Sequence, residues 1–270
     1  MQLYFLGTGA ADYGARLKTD LADRFDRDIR RSNALLVDGH LLIDCGDWIL
    51  NSIAVSGIDP TGIRQVLVSH SHHDHFRPEH LCSIAAQAGH PIDVYANADI
   101  LRILDEGKQG LPGAAYLKEH LLMAEPRPTE VEFEGIRVTP LRSNHQTDYP
   151  GEQTMHFLLE KDGKSLFYGT DGAWLPTATG KYLFGRHLTA YLFDATCGDY
   201  TSEYRIFEHN TLPMIRLMKQ VLTEQGAFDE NTKVILIHIA PSLHKSHAET
   251  EALAARDGML VSYDGMELTI

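Results

Sequence analysis

The segment Val66-Leu67-Val68-Ser69-His70-Ser71-His72-His73-Asp74-His75 places four histidines and one aspartate directly behind a short apolar run. Residues 65–68 are predicted to form a buried strand, so the polar residues begin where the strand ends and the chain can turn. Imidazoles at this density beside a carboxylate indicate a metal site, and the candidate ligands are His70, His72, Asp74 and His75. His73 is expected to point elsewhere.

The ligand types narrow the choice of metal. Neutral imidazoles and a carboxylate suit borderline divalent ions, so we expect zinc, with manganese or iron as alternatives. A closed structural zinc site is usually built from cysteines, and this segment contains none. The pattern therefore favours an open, catalytic site. The alternative is a histidine-rich surface turn that binds adventitious metal.

Residues of ligand type also follow predicted strands in the second half of the chain, namely His145, Asp171, Asp194 and His238. Ligands far apart in sequence can therefore converge at one edge of a sheet. Asp194 is either a residue that orients a ligand or a buried cap.

Turn and capping signals predict the remaining elements. Asp38-Gly39 predicts a hairpin turn, and Ser246-His247-Ala248-Glu249 is a capping box that opens a helix. We also predict a helix over residues 114–123 and a final hairpin around Asp264-Gly265. In residues 12–32, Leu21, Phe25 and Ile29 recur every four positions, as on one face of a helix; this helix is either a solvated surface element or a lid or dimer contact.

Composition excludes several classes of protein. A net charge of −13 disfavours an extended nucleic-acid surface, because lysine and arginine carry phosphate binding. Cys45, Cys82 and Cys197 are odd in number and lack paired metal spacing, which indicates reduced thiols in a cytoplasmic protein. No apolar run approaches the roughly 18 residues that span a bilayer, so no membrane association is expected.

The predicted elements indicate an α+β fold. No linker interrupts the chain, and the candidate ligands come from both halves, so residues 1–270 are expected to form a single domain. Each half contributes paired strands, ligands at strand ends and covering helices. This pattern predicts a four-layer αββα sandwich, with two mixed sheets packed face to face and helices outside.

With these motifs the sequence resembles the metallo-β-lactamase superfamily. The resemblance implies a two-metal site in which His70, His72 and His145 hold one ion, Asp74, His75 and His238 hold the other, and Asp171 bridges them. Four segments are most similar to the phosphoribosyl cyclic phosphodiesterases of phosphonate breakdown: Gly7-Thr-Gly-Ala-Ala, Thr139-Pro-Leu-Arg-Ser-Asn-His145, Val234-Ile-Leu-Ile-His238-Ile and Asp264-Gly-Met-Glu267. Those enzymes also bind a structural zinc through cysteines near the N-terminus, and residues 10–32 here contain none.

The resemblance further implies a function. His209 falls where the phosphodiesterases have a histidine proposed as general acid, so Asp74 and His209 are the candidate catalytic residues. The expected activity is hydrolysis of a small or cyclic phosphodiester, a small-molecule partner. The alternatives are a lactonase or a cofactor-biosynthesis hydrolase of the same fold, a tRNA 3′-processing endonuclease, and a metal-binding protein without turnover.

Overall fold

The structure is a computed structural model that describes residues 1–12, 23–200 and 202–270. Its strands are β1 (Gln2–Gly7), β2 (Ala34–Val37), β3 (Leu41–Ile43), β4 (Gln65–Leu67), β5 (Ile92–Ala96), β6 (Leu117–Leu121), β7 (Val131–Phe133), β8 (Ile136–Arg142), β9 (Met155–Lys161), β10 (Lys164–Gly169), β11 (Ala190–Asp194), β12 (Lys233–Ile237), β13 (Met259–Val261) and β14 (Glu267–Thr269). Its α-helices are α1 (Ile49–Ser56), α2 (Pro78–Ala88), α3 (Ala98–Gly107), α4 (Thr177–Leu183), α5 (Leu212–Glu224) and α6 (His247–Ala255). Short 3-10 helices occupy Pro60–Gly62, Ala114–Tyr116 and Tyr204–Phe207.

The strands form two mixed sheets of seven strands, which confirms the predicted α+β class. The first sheet has the order β14-β1-β2-β3-β4-β5-β6, and the second has the order β13-β12-β11-β10-β9-β8-β7. In each sheet one half is antiparallel and the other half is parallel. The strand directions bring the carboxyl ends of β3 and β4 to one edge of the first sheet, and those of β8, β10, β11 and β12 to one edge of the second.

The described residues fall into two compact units, each built around one sheet. Unit 1 comprises Met1–Met123, Thr147–Glu152 and Tyr263–Thr269, and unit 2 comprises Ala124–Gln146, Gln153–Ser262 and Ile270. That the whole chain is one domain stays a prediction. Among the residues that the structure describes, no helix combines the length and the apolar content needed to cross a membrane.

Helices cover one face of the sheet in each unit. In unit 1, apolar residues of α1, α2 and α3 share a buried cluster with alternate strand residues such as Leu42, Val66 and Val94. In unit 2, residues of α4, α5 and α6 share a cluster with Phe167 and Leu236. Each Å² of apolar surface that these side chains bury stabilises the fold by roughly 25 cal/mol. This burial holds the strand ends in place.

Two local predictions are confirmed. Asp38 and Gly39 both have positive φ, at 50° and 74°, as the tight turn in the three-residue connection between β2 and β3 requires. The Ser246 side chain accepts from the backbone N–H of Glu249, while the Glu249 side chain accepts from the N–H of Ser246, so the capping box opens α6.

Two other predictions are wrong. Residues 114–123 form a 3-10 turn followed by β6 rather than a helix, because β6 pairs in parallel with β5 at the edge of the sheet and this pairing overrides a weak local helix preference. Asp264-Gly265 does not close a hairpin: β13 pairs with β12 in the second sheet, whereas β14 pairs with β1 in the first.

The helix predicted over residues 12–32 is also wrong where the chain is described. Residues 23–32 are turns and isolated bridges, and Leu21 lies outside the described residues. Ile29 is buried, and the guanidinium of Arg31 lies over the Phe25 ring at 4.9 Å. Arg31 is fully buried and pairs with Asp264. The backbone around Arg31 is arranged to reach this partner and does not form a regular helix. A lid or a dimer contact here stays a prediction.

Candidate metal centre

In unit 1 the residues after β4 are organised by Asp44, at the end of β3. Its buried carboxylate accepts from the backbone N–H of Ser69 at 2.8 Å, from the Ser69 hydroxyl at 3.0 Å and from Nδ1 of His75 at 2.8 Å. One side chain therefore binds both the start and the end of the histidine-rich loop. Asp44 itself has a φ of 65°, a left-handed conformation that non-glycine residues rarely adopt and that is concentrated at functional sites.

These contacts determine which ring nitrogens carry hydrogen. The Ser69 hydroxyl donates to Asp44, so it accepts from Nδ1 of His70, 3.0 Å away. His75 likewise donates its Nδ1 hydrogen to Asp44. In both imidazoles the lone pair then lies on Nε2, the tautomer that outer hydrogen bonds impose on metal-binding histidines.

The Nε2 lone pair of His75 lies close to another electron-rich atom. Nε2 of His75 lies 3.4 Å from a carboxylate oxygen of Asp74, and the two side chains are 0% and 5% exposed. The ring centroid of His70 lies 4.2 Å from that of His75 and 4.9 Å from that of His72. Two acceptors at this distance repel each other unless a cation lies between them, so the loop has the chemistry of a cation site.

His73 does point elsewhere, as its sequence position predicts. Its side chain is 52% exposed, and its Nδ1 lies 2.8 Å from a carboxylate oxygen of Asp47, whose other oxygen accepts from Arg77 at 2.6 Å. Asp47 thus makes surface contacts of the kind that Asp44 makes in the interior.

Gly46 allows the loop to pass close to the β3 end. A Cβ atom at this position would lie 1.8 Å from the carbonyl oxygen of Asp74 and 2.7 Å from the amide nitrogen of His75. Only glycine leaves room for the backbone that carries these two candidate ligands.

In unit 2 the central residue is Asp171, which follows β10. Its Oδ1 lies 3.1 Å from Nε2 of His238, and its Oδ2 lies 3.6 Å from Nε2 of His145. All three side chains are 2% exposed. Asp171 and His238 have φ angles of 50° and 54°, so two strand ends in this unit also adopt the left-handed conformation.

Asp194, the last residue of β11, orients two further imidazoles. It accepts from Nδ1 of His209 at 2.7 Å, and its other oxygen accepts from the hydroxyl of Thr196 at 2.8 Å. Thr196 in turn accepts from Nδ1 of His238 at 2.7 Å, which leaves the lone pair of His238 on Nε2, facing Asp171. Burial alone would raise the pKa of Asp194, but the charge and hydrogen bond of His209 outweigh it, and the pKa is lowered.

Potential ligand atoms cluster closely within this unit. Those of Asp171, Asp194, His209 and His238 lie within 4.8 Å of one another, as do those of His145, Glu208 and His209. The rings of His209 and His238 are stacked, with centroids 5.4 Å apart. His209, which has no ligand spacing in the sequence, is therefore brought beside the predicted ligands His145 and His238.

The sequence interpretation missed several residues of these groups. Asp44 and Thr196 are hydrogen-bond partners of the candidate ligands, and Asp44 follows a strand just as Asp171 does, a signal that was present in the sequence. His156 is buried inside β9, with Nε2 3.4 Å from the carbonyl oxygen of Asp171. Burial lowers the pKa of His156 to about 4, so it is neutral at pH 7. Nothing in the strand pattern distinguishes His156 from an ordinary core residue.

Comparison with known proteins gives a consistent result. Residues 40–239 match a family described as a β-lactamase superfamily domain. No protein of curated function matches the sequence. Among solved structures, a diphosphatase from the PhnP family has a TM-score of 0.74 at 20% identity, covering 100% of this chain and 97% of that one.

Two other solved structures are similar over the whole chain. Human tRNase Z, short form, has a TM-score of 0.71 at 19% identity, covering 100% of this chain and 99% of that one. Zinc-bound PqqB from Methylobacterium extorquens has a TM-score of 0.73 at 17% identity, covering 100% of both chains. At these identities the three structures share the fold of this chain.

Proposed function

Because the chain belongs to the metallo-β-lactamase superfamily, we propose that it is a metal-dependent hydrolase of small phosphodiesters. The observation that carries the proposal is the buried carboxylate of Asp171, whose two oxygens face the Nε2 atoms of His145 and His238. A carboxylate placed between two imidazole nitrogens is suited to bridging cations and has no evident use in an apolar core.

In this proposal two divalent ions share seven ligands. His70, His72 and His145 hold one ion, Asp74, His75 and His238 hold the other, and Asp171 binds both. The assignment is supported by the resemblance, and by the hydrogen bonds that direct Nε2 of His70, His75 and His238 away from their partners Ser69, Asp44 and Thr196. Imidazole nitrogens and carboxylate oxygens are ligands that zinc prefers, with manganese and iron as alternatives.

The chain's own groups complete the chemistry. When bound, two divalent ions lower the pKa of water and neutralise charge on phosphoryl oxygens. Asp74 is a candidate catalytic residue as well as a ligand, since its carboxylate can orient the attacking water by accepting a hydrogen bond.

His209 is the proposed general acid. Asp194 accepts its Nδ1 hydrogen, which leaves Nε2 as the atom that can deliver a proton and stabilises the imidazolium form by charge. A departing sugar alkoxide is a poor leaving group, so it gains from a proton delivered in the transition state. Loss of that proton leaves a neutral imidazole that Asp194 still orients.

The substrate class rests on two considerations. Four segments of the sequence resemble those of cyclic phosphodiesterases, and a structurally similar protein is named as a diphosphatase. A net charge of −13 opposes long-range attraction of polymeric RNA, so a tRNA-processing activity such as that named for human tRNase Z is disfavoured. The substrate is therefore a small ester of phosphoric acid.

Metal counting and a substrate panel test this proposal. The purified protein is loaded with Zn²⁺ or Mn²⁺, and bound metal is measured by elemental analysis; about two ions per chain are expected. Activity is then measured on bis(p-nitrophenyl) phosphate, cyclic phosphodiesters, a diphosphate, a lactone and a precursor tRNA. We expect turnover of the phosphodiesters and its loss on treatment with a chelator.

Two variants make the panel specific. Asp171→Asn should abolish turnover and lower the metal content, whereas Asp162→Asn, in the turn between β9 and β10, should change neither. If the protein hydrolyses lactones but no phosphodiester, the assignment as a hydrolase stands and the proposed substrate class is wrong. One ion or fewer per chain after loading would reject the binuclear site.

A further inference from the structure

A buried carboxylate lies beside the histidine-rich loop and has no place in the proposed ligand set. Glu152 belongs to the segment Thr147–Glu152, which clusters with unit 1, and it is 4% exposed. Its Oε2 accepts from the hydroxyl of Ser71 at 2.5 Å and from the hydroxyl of Thr147 at 2.6 Å. Its Oε1 accepts from the side-chain nitrogen of Asn97 at 2.9 Å.

The partners of Glu152 connect the loop to a helix terminus. Ser71 stands between His70 and His72 in the chain. Asn97 is the N-cap of α3, and its side-chain oxygen accepts from the backbone N–H of Ile100 at 2.9 Å. Because that oxygen caps the helix, the amide orientation of Asn97 is determined, and its nitrogen must point at Glu152.

We infer that Glu152 is a positioning residue for His70 and His72. It fixes the side chain between them and attaches it to the rigid start of α3, so the two imidazoles are held in place before an ion arrives. A ligand pair held in this way loses less conformational freedom on binding than a mobile loop does. This inference rests on the proposed function, since it assigns Glu152 a role towards the metal site.

The carboxylate form of the side chain matters for this role. An acceptor-only group satisfies all three donors at once, whereas glutamine has one acceptor oxygen and one donor nitrogen. In Glu152→Gln, the nitrogen faces either Asn97, a donor, or the hydroxyls of Ser71 and Thr147. Asn97 cannot turn its oxygen towards the new nitrogen without losing the cap on α3. Glutamine can keep these contacts only if the hydroxyls turn to accept from its nitrogen, so neutral hydrogen bonds replace the stronger charge-assisted bonds of the carboxylate at nearly unchanged size.

The experiment compares Zn²⁺ affinity in the full-length protein by competition with a chromophoric chelator. The variants are Glu152→Gln, Ser71→Ala and their double variant, with Glu119→Gln as the matched control. Glu119 is a partly buried carboxylate of the same unit that bonds Lys108 and does not contact the loop. Melting temperatures of the metal-free proteins are measured alongside, so that lost stability and lost affinity are separated.

We expect Glu152→Gln and Ser71→Ala each to weaken binding of at least one ion about 10- to 100-fold, as loss of outer hydrogen bonds does at metal sites. The double variant should bind Zn²⁺ about as weakly as whichever single variant has the lower affinity, because both substitutions disrupt the same hydrogen bond between Ser71 and Glu152. Glu119→Gln should bind as the wild type does, even if its melting temperature falls.

Other outcomes would overturn the inference. If Glu152→Gln and Ser71→Ala bind two ions with wild-type affinity, Glu152 has no positioning role. If their affinity falls no further than that of Glu119→Gln at a comparable loss of melting temperature, the role of Glu152 is general stability. A wild-type protein that binds neither Zn²⁺ nor Mn²⁺ would instead reject the proposed function, and this measurement is made before any variant is compared.

Discussion

The Nδ1 atom of His75 lies 2.8 Å from Oδ2 of Asp44, and both side chains are fully buried. Because the carboxylate accepts the Nδ1 hydrogen, the lone pair of His75 is confined to Nε2. In Asp44→Asn the amide nitrogen can face His75 instead and impose the opposite tautomer, with a hydrogen on Nε2. We expect this variant to bind one ion at least 10-fold more weakly, measured by chelator competition.

Asp47→Asn is a matched control for that substitution. Asp47 also contacts Nδ1 of a histidine, but its partner His73 is exposed and lies outside the proposed ligand set. The metal affinity of Asp47→Asn should equal that of the wild type. Equal affinity of the Asp44 and Asp47 variants would show that the tautomer of His75 has no influence on binding.

A leaving-group comparison tests His209. If Nε2 of His209 delivers a proton, His209→Ala should slow substrates with alkoxide leaving groups about 10²- to 10⁴-fold. Nitrophenyl esters, whose leaving groups depart without a proton, should lose much less. The measurement is kcat/KM for both substrate types at equal metal content. Equal losses on the two types would assign His209 to positioning or packing.

Gly46 gives a steric test of the loop. The added methyl group in Gly46→Ala would lie 1.8 Å from the carbonyl oxygen of Asp74, so the backbone must shift. We expect the free energy of unfolding to fall by about 1–3 kcal/mol, as other overpacked interiors show, and metal affinity to fall with it. Urea unfolding of the metal-free protein and Zn²⁺ titration measure the two effects.

Gly180→Ala is the control for Gly46. Gly180 lies in α4, and the nearest atom to an added Cβ is 3.9 Å away in Leu175. Alanine is favoured over glycine in helices by about 1 kcal/mol, so this variant should be as stable as the wild type or more stable. A Gly46 variant that behaves in the same way would mean that the loop tolerates a side chain there.

Asp264 predicts a pH dependence of stability. Burial raises the pKa of this carboxyl from its ordinary value of 3.8 to about 6, although Arg30, Arg31 and Thr8 act in the opposite direction. Between these values the folded protein retains a proton that the unfolded chain has lost, so stability falls as pH rises through this window. Asparagine at position 264 cannot titrate, so Asp264→Asn lacks this pH dependence of stability.

The stability of the wild type relative to Asp264→Asn should therefore decrease by on the order of 3 kcal/mol as pH rises from about 4 to about 6. Urea unfolding of the metal-free proteins at several pH values measures the difference. A difference that does not change with pH, or that grows as pH rises, would mean that the neighbouring arginines keep Asp264 ionised throughout.

Sequence patterns correctly predicted the elements that interactions between neighbouring residues determine. The Asp38-Gly39 turn, the capping box at Ser246 and the strand before His70 each depend on a few adjacent residues. Two of the three wrong predictions concern pairing partners. Residues 114–123 became an edge strand because β5 lies beside them, and the strands around Asp264 joined different sheets. Such choices depend on residues distant in sequence, whose positions no local pattern encodes.

The sequence by itself determined the types of the candidate ligands and their location at strand ends, because ligand chemistry belongs to the side chain and a strand's end is visible in its apolar run. Only the tertiary structure decided how these groups are held: the tautomers imposed by Asp44 and Thr196, the buried carboxylate of Glu152 and the place of His209 beside His238. The physical reason is that a hydrogen bond requires two atoms within about 3 Å, and folding alone brings these residues that close.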